Sequence, residues 1–360
     1  MAIHPIEYRY GTAEMKYVWS QENRLAKILQ TEAALARAEA DMGGLIPAEA
    51  AEIIFESIAS VKAERVDEIE SEIHHDMMAV VVAISEMCRD DAGKWVHFGA
   101  TSNDILDTAT ALQIKDAIDI LEDKLKTLLK VLVNQAEAHK NTVCCGRTHG
   151  QIGVPTTYGL RFAIWASEIS RHLDRLYELT PRATVGGQMT GAVGTQAAFG
   201  KSGILIQKLT MQHLGIGGAV DVSNQIIQRD RHAEFVMWMA NVVTTLDKIG
   251  IEIRTLQRSE IAEIEESFGK KQVGSSTMPH KRNPIKSEQI CGLARIVRAM
   301  VEPELLNNTL WTRGTSRILQ VNGLSSLKPV YLPIISLNSG SAFLKTSGSI
   351  LKISAGTLIP

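Results

Sequence analysis

Two runs of aliphatic residues at alternating steps of three and four limit the architectures open to this chain. The first is Ile118, Leu121, Leu125, Leu128 and Leu132, within a helical stretch from about Asn103 to Lys140. The second is Val242, Leu246, Ile249, Ile253 and Leu256. This spacing lines one stripe of an α-helix and reads as a heptad seam. Helices of this length and pattern predict a long bundle, shared between subunits. Composition agrees: the chain is 45% hydrophobic but only 5% aromatic, with ten prolines, which favours helices over a β-sandwich or barrel. The predicted fold class is all-α, and 360 residues suffice for two or three domains.

Several function classes lose support at once. A net charge of -2 gives no argument for nucleic acid or a membrane surface. No run reaches the roughly 18 apolar residues of a bilayer span. The opening MAIHPIEYRY has no signal-peptide core. Cys88, Cys144, Cys145 and Cys291 match no zinc spacing, and adjacent Cys144-Cys145 is not a redox CxxC pair. Free thiols in a reducing cytoplasm are the simple reading.

Polar islands interrupt the helices. Met1 to Trp19 is irregular, with Arg9 beside Tyr10, and a frayed terminus would explain it. Ser20 is an N-cap for a helix to Met42, stopped by Gly43-Gly44, and Pro47 suits the first turn of the next helix. A third helical stretch, Asp67 to Cys88, carries His74-His75-Asp76 in its middle. Neighbours on a helix point about 100° apart, so these cannot chelate a metal together. One His could face a cleft while Asp76 fixes its tautomer. In Phe98–Asp104, Thr101 or Ser102 caps the long helix that follows, which by itself accounts for them. His149 sits in Gly146–Gln151 at a helix boundary; a lone His is usually structural, but flanking Gly, Arg and Thr favour a chemical role. The glycine-rich stretch Val185–Gly200 lacks the ending of a P-loop and the strand of a dinucleotide site, so it serves close packing or turning. Gln225–His232 opens the second seam helix, and its charges can pair across a helix face.

The densest island is Gly274–Pro284, GSSTMPHKRNP, a loop between the helical segments Arg229–Glu266 and Ile285–Val301. Hydroxyls at Ser275 and Ser276 can reach a proton. Lys281, Arg282 and Asn283 can hold carboxylates, and N–H groups at the start of the next helix would add to that. A solvated helix connection explains the composition equally well.

GSSTMPHKRNP resembles the signature loop of the fumarase/aspartase superfamily, enzymes that release fumarate by β-elimination. The islands in this order, from Met1 to about Trp311, are similar to the adenylosuccinate lyase family. That resemblance implies three helical domains: here 1–102 as an N-terminal helical domain and 103–311 as the central bundle. It implies a homotetramer whose active sites are built from three subunits, a purine nucleotide substrate, and no metal or organic cofactor. It further implies His149 as general acid and Ser275 as general base. Arg9 and Tyr10 would meet the phosphate and ribose side. His74, His75 and Asp76 would lie along the substrate, with His75 assisting acid catalysis. Thr101, Ser102 and Gln225 would contact the succinyl and nucleotide parts, and Ser276, Lys281 and Asn283 the succinyl part. A carboxymuconate cycloisomerase, an argininosuccinate lyase or a non-catalytic helical scaffold are the alternatives. Arg9-Tyr10 and QRDRHAEF favour the purine enzyme.

From Thr312 onward the sequence changes character. Residues 312–360 contain no Asp, Glu or His, whereas all 40 acids lie before them. Synonymous codons can be chosen for Thr312–Val330 that, read two nucleotides later, spell ERDLTNSSSERIVFPEAC, close to what the family places after the tryptophan. The expectation is a shifted reading frame, with the family's C-terminal domain lost and the 360-residue chain inactive or insoluble through exposed seam surface.

Overall fold

The computed structural model describes residues 10–309 apart from 43, 185, 269, 270 and 272. The expectations for Arg9, for Gly43 and for the tail 312–360 fall outside the described residues.

Helices α1 (Ala13–Val18), α2 (Gln21–Asp41), α3 (Ala48–Ser57), α4 (Ala63–Ile73) and α5 (Asp76–Met87) lead into α6 (Ser102–Ala138). A hairpin of β1 (Val143–Thr148) and β2 (Gln151–Thr157) follows, then α7 (Tyr158–Thr184) and α8 (Gly203–Leu214). The described chain ends with α9 (Asp230–Leu256), α10 (Ile285–Ala299) and α11 (Val301–Leu306). The fold is all-α, with one two-stranded hairpin among the described residues.

Helix α6 is the spine. Its 37 residues span roughly 55 Å at 1.5 Å per residue. Near its start, Ile105, Ala109 and Leu112 pack with the inner faces of α2, α3, α4, α5 and α8. From Ile114 onward it enters a second core with α1, α7, α9 and α10. Both seams lie there: Ile118, Leu121, Leu125, Leu128 and Leu132 are buried, as are Val242, Leu246, Ile249, Ile253 and Leu256. Each such side chain contributes about 1.5–3 kcal/mol relative to exposure, which is why the seam spacing dictates the bundle.

Local signals hold in part. The Ser20 hydroxyl caps α2 by accepting the Asn23 N–H at 3.0 Å. Pro47 is the N-cap of α3, one residue earlier than the predicted first turn.

Three expectations are corrected. The stretch from Asp67 to Cys88 is two helices. His74 takes a left-handed φ of 54° and ends α4, and His75 caps α5. His149 is at the tip of a ribbon, away from any helix boundary. His149 and Gly150 have φ of 54° and 76°, the two left-handed residues of a type I′ turn. The segment Arg229–Glu266 stops being helical at Leu256, whose carbonyl accepts the N–H groups of Glu263 and Ile264. The reversal runs through Ala262 at φ 50°, so no glycine marked it in the sequence.

Candidate active site

Three of the polar islands meet at the N-terminal end of α6. Thr101 is its N-cap, and Asp104 reaches back to accept the Thr101 N–H at 3.0 Å. The same buried carboxylate accepts the N–H groups of Thr190 and Gly191, each at 2.9 Å, and the Thr190 hydroxyl at 3.3 Å. Burial raises the Asp104 pKa, and these donors oppose the rise without cancelling it. One turn on, Asp107 accepts the Ile227 N–H at 3.0 Å and pairs with the buried Arg229 at 2.8 Å. The charges of the Gln225–His232 stretch therefore reach across to α6 rather than only along their own helix. The Gln188 side chain donates to the Gln225 carbonyl at 2.7 Å. Thr101, Ser102 and Gln225 are thus gathered in one place, each half-buried. The glycine-rich stretch allows the close approach: Gly194 has φ 81°, and a Cβ there would fall 2.6 Å from the Ser223 carbonyl oxygen.

The Gly274–Pro284 loop lies beyond the C-terminal end of α9. Its neck is closed by Gly274 against the Lys281 carbonyl, where a Cβ would overlap, and by Asn283 Nδ2 donating to the Gly274 carbonyl at 3.2 Å. Gln257 clasps both sides, accepting the Glu266 N–H at 2.9 Å and donating to the Arg282 carbonyl at 3.1 Å. Inside the loop, Ser275 Oγ accepts two backbone N–H groups, from Thr277 at 3.2 Å and Met278 at 3.1 Å. Donors aimed at this oxygen favour its anionic form. Ser276 is exposed, and Lys281 is exposed with no ion pair among the described residues.

One expectation fails here. The N–H groups at the start of α10 do not wait for a ligand. Glu266 accepts the N–H of Lys286 at 3.1 Å and that of Ser287 at 2.7 Å, filling that anion site from within the chain.

The remaining residues are dispersed. His149 is exposed at the hairpin tip. Near its turn the hairpin is tied down by Arg147, paired with Ile152 across the strands, whose guanidinium pairs with the buried Glu263; at the end of the hairpin, Tyr158 Oη donates to the same carboxylate at 3.0 Å. No hydrogen bond or ion pair joins His149 to Ser275 among the described residues. His75 Nδ1 accepts the Met78 N–H at 3.3 Å, while Asp76 accepts the Met77 N–H at 2.7 Å. The same His75 nitrogen lies 3.7 Å from the Asp76 carboxylate, farther than the backbone N–H it accepts. His74 is exposed. Tyr10 is half-buried against the bundle core.

Sequence reasoning passed over Asp104, Asp107, Gln257, Glu263 and Glu266, which hold these islands in place. Asp104 carried a signal, because Thr101-Ser102-Asn103-Asp104 has the spacing of a capping box. Glu266 carried none, since it caps a helix about 20 residues away.

The two groups of candidate residues lie at opposite ends of the spine. Thr101 heads α6, while the hairpin leaves its far end and reaches only about 20 Å. Helix α9 starts beside Asp107, where its N-cap Arg229 pairs with that carboxylate, and runs roughly 40 Å before the loop with Ser275.

Fold and loop together define a helical lyase. The sequence model of the family described as Lyase matches residues 7–299. The adenylosuccinate lyase of Pyrococcus horikoshii is 57% identical over 86% of this chain and 69% of its own. That of Methanocaldococcus jannaschii is 55% identical over 86% of this chain and 67% of its own. Among solved structures, the 3-carboxy-cis,cis-muconate lactonizing enzyme of Pseudomonas putida superposes with a TM-score of 0.86 at 27% identity, covering 97% of this chain and 77% of that one. The chain belongs to the adenylosuccinate lyase family.

Proposed function

We propose that this chain releases fumarate from adenylosuccinate, leaving AMP, and from the succinylated aminoimidazole carboxamide ribotide of purine synthesis. The observation that carries the reading is the pair of N–H donors on Ser275 Oγ in a chain 57% identical to an adenylosuccinate lyase. Ser275 removes the proton beside a succinyl carboxylate. The charge that develops is held by Lys281, by Asn283 and by loop N–H groups. His149 gives a proton to the departing nitrogen. Loop closure excludes water and strengthens both steps. Tyr10, with Arg9, faces the phosphate and ribose; Thr101, Ser102, Gln225 and Ser276 hold the substrate, with His74, His75 and Asp76 along it.

No single chain unites Thr101 with His149 across the length of α6. That separation supports sites shared between subunits; the reading takes the assembly to be a homotetramer, as the family likeness implies, and its location to be the cytoplasm. The lactonizing enzyme has the same architecture at 27% identity, so fold alone would admit its chemistry. The much higher identity to adenylosuccinate lyases favours the purine reaction.

The test offers adenylosuccinate, argininosuccinate and carboxymuconate to the purified 360-residue chain, and to a second chain carrying the alternative-frame continuation. Fumarate release from adenylosuccinate alone supports the reading. Turnover of either rival substrate instead overturns it. An active, soluble 360-residue chain overturns the expectation that the altered tail costs activity.

A further inference from the structure

Behind the loop that carries Thr101 and Ser102 lies a charged pair that the proposed chemistry does not use. Glu32, on the inner face of α2, is buried with 1% of its side chain exposed. Its Oε1 lies 2.6 Å from Nδ1 of His97, itself 13% exposed. The other oxygen, Oε2, has no partner among the described residues. A carboxylate only accepts, so Nδ1 carries the proton of this bond. A buried carboxylate is tolerated when it is paired, and here His97 is the pairing group.

The backbone around His97 is unusual. His97 takes φ 63° and Gly99 φ 70°. A left-handed non-glycine residue persists where its surroundings hold it. The Ala100 N–H donates to the His97 carbonyl at 3.3 Å, and Gly99 packs so closely on Phe199 that a Cβ would lie 2.6 Å from the ring. Asp104 anchors the far end of the same turn through Thr101. The charged groups facing the imidazole are Glu32 from α2 and Asp104 from α6. Burial lowers the His97 pKa, but Glu32 and then Asp104 raise it, and the net shift is upward.

We propose that Glu32 is a positioning residue for the reaction: through His97 it holds the left-handed turn that sets Phe98–Ser102 against the head of α6, so that α2 governs substrate affinity without touching substrate. The proposal rests on the reading that Thr101 and Ser102 meet the substrate. Sign follows from the pair. The latch is an ion pair while His97 is protonated and weakens to a single Nδ1–H hydrogen bond as the pH rises through its raised pKa.

The test uses Glu32→Gln, which keeps shape and acceptor but removes charge. Hydrogen exchange on the whole chain should speed up in peptides covering 97–104 and stay unchanged in the rest of α2 and α6. Measured in whichever of the two chains turns over, the 360-residue one or the one with the alternative-frame continuation, KM for the succinylated nucleotide should rise, on the order of 10- to 100-fold for a displaced binding loop, with a smaller loss in kcat. The alkaline limb of the affinity profile should move to lower pH. Adding Glu32→Gln to a His97→Gln chain should cost nothing further, because Glu32 acts through His97. An additional loss of similar size overturns the proposal, as does faster exchange throughout α2, which would mark the pair as general scaffolding. Ser102→Ala separates the two readings. If it leaves KM unchanged, the loop does not meet substrate and the functional reading of the loop fails, while exchange still reports on the latch. If it raises KM and Glu32→Gln changes neither exchange nor KM, the positioning role is wrong.

Discussion

Ser275 and His149 differ in how their surroundings prepare them. Ser275 Oγ already receives two N–H groups within its own loop. Its truncation, Ser275→Ala, should abolish turnover while nucleotide still binds, as read by calorimetry beside a fumarate assay; near-normal turnover removes it as the base. His149 stands alone on a turn, so His149→Gln should lower kcat on the order of 10²-fold or more and alter the pH–rate profile. An unchanged profile counts against it as the acid. A third residue offers a test of stability. Glu39 is fully buried, and neither carboxylate oxygen has a partner among the described residues. Burial first, and Glu32 second, push its pKa up from 4.5 to about 9. Between those values the folded chain keeps a proton that the unfolded chain has lost. Stability therefore falls as pH rises through that window, by about 1.4 kcal/mol per unit. Glu39→Gln mimics the neutral acid without titrating. Urea midpoints measured from about pH 6 to about pH 9 should fall more steeply in the parent than in the variant, and parallel curves would remove the effect.

Elements show where periodicity suffices and where it does not. The seam of α6 was legible because each of its residues meets the bundle core at the helical repeat. Leu125 is fully buried at its centre. Leu125→Ala should cost about 2–5 kcal/mol in chemical unfolding, and a loss below about 1 kcal/mol would mean that the seam is not packed as described. The break at His74 and the hairpin at His149 were not legible. Both depend on a histidine at positive φ, a conformation that histidine adopts seldom enough to leave no mark in composition. The end of α9 was hidden for the same reason, since Ala262 does there what a glycine would advertise.

At the scale of the whole molecule, the length of α6 sets the problem that assembly must solve. Thr101 and Ser102 stand at one end of a helix of roughly 55 Å, and His149 leaves from the other. Shared sites predict complementation. Ser102→Ala and His149→Gln chains, each impaired alone, should recover part of the parental turnover when co-expressed, because some mixed sites draw both intact residues from different subunits. Absence of any recovery, with mixed assembly verified by mass, would place each site within one chain.

The sequence by itself determined the helical class, the two seams and the loop GSSTMPHKRNP. These depend on short-range periodicity or on a contiguous motif, and both survive in one dimension. Only the tertiary structure decided which islands meet. Asp104 collects amides from residues 190 and 191, Asp107 collects that of Ile227, and Glu266 takes the helix start that was expected to await a substrate carboxylate. A buried carboxylate must find donors wherever the fold brings them, and nothing in local spacing says which distant N–H groups those will be.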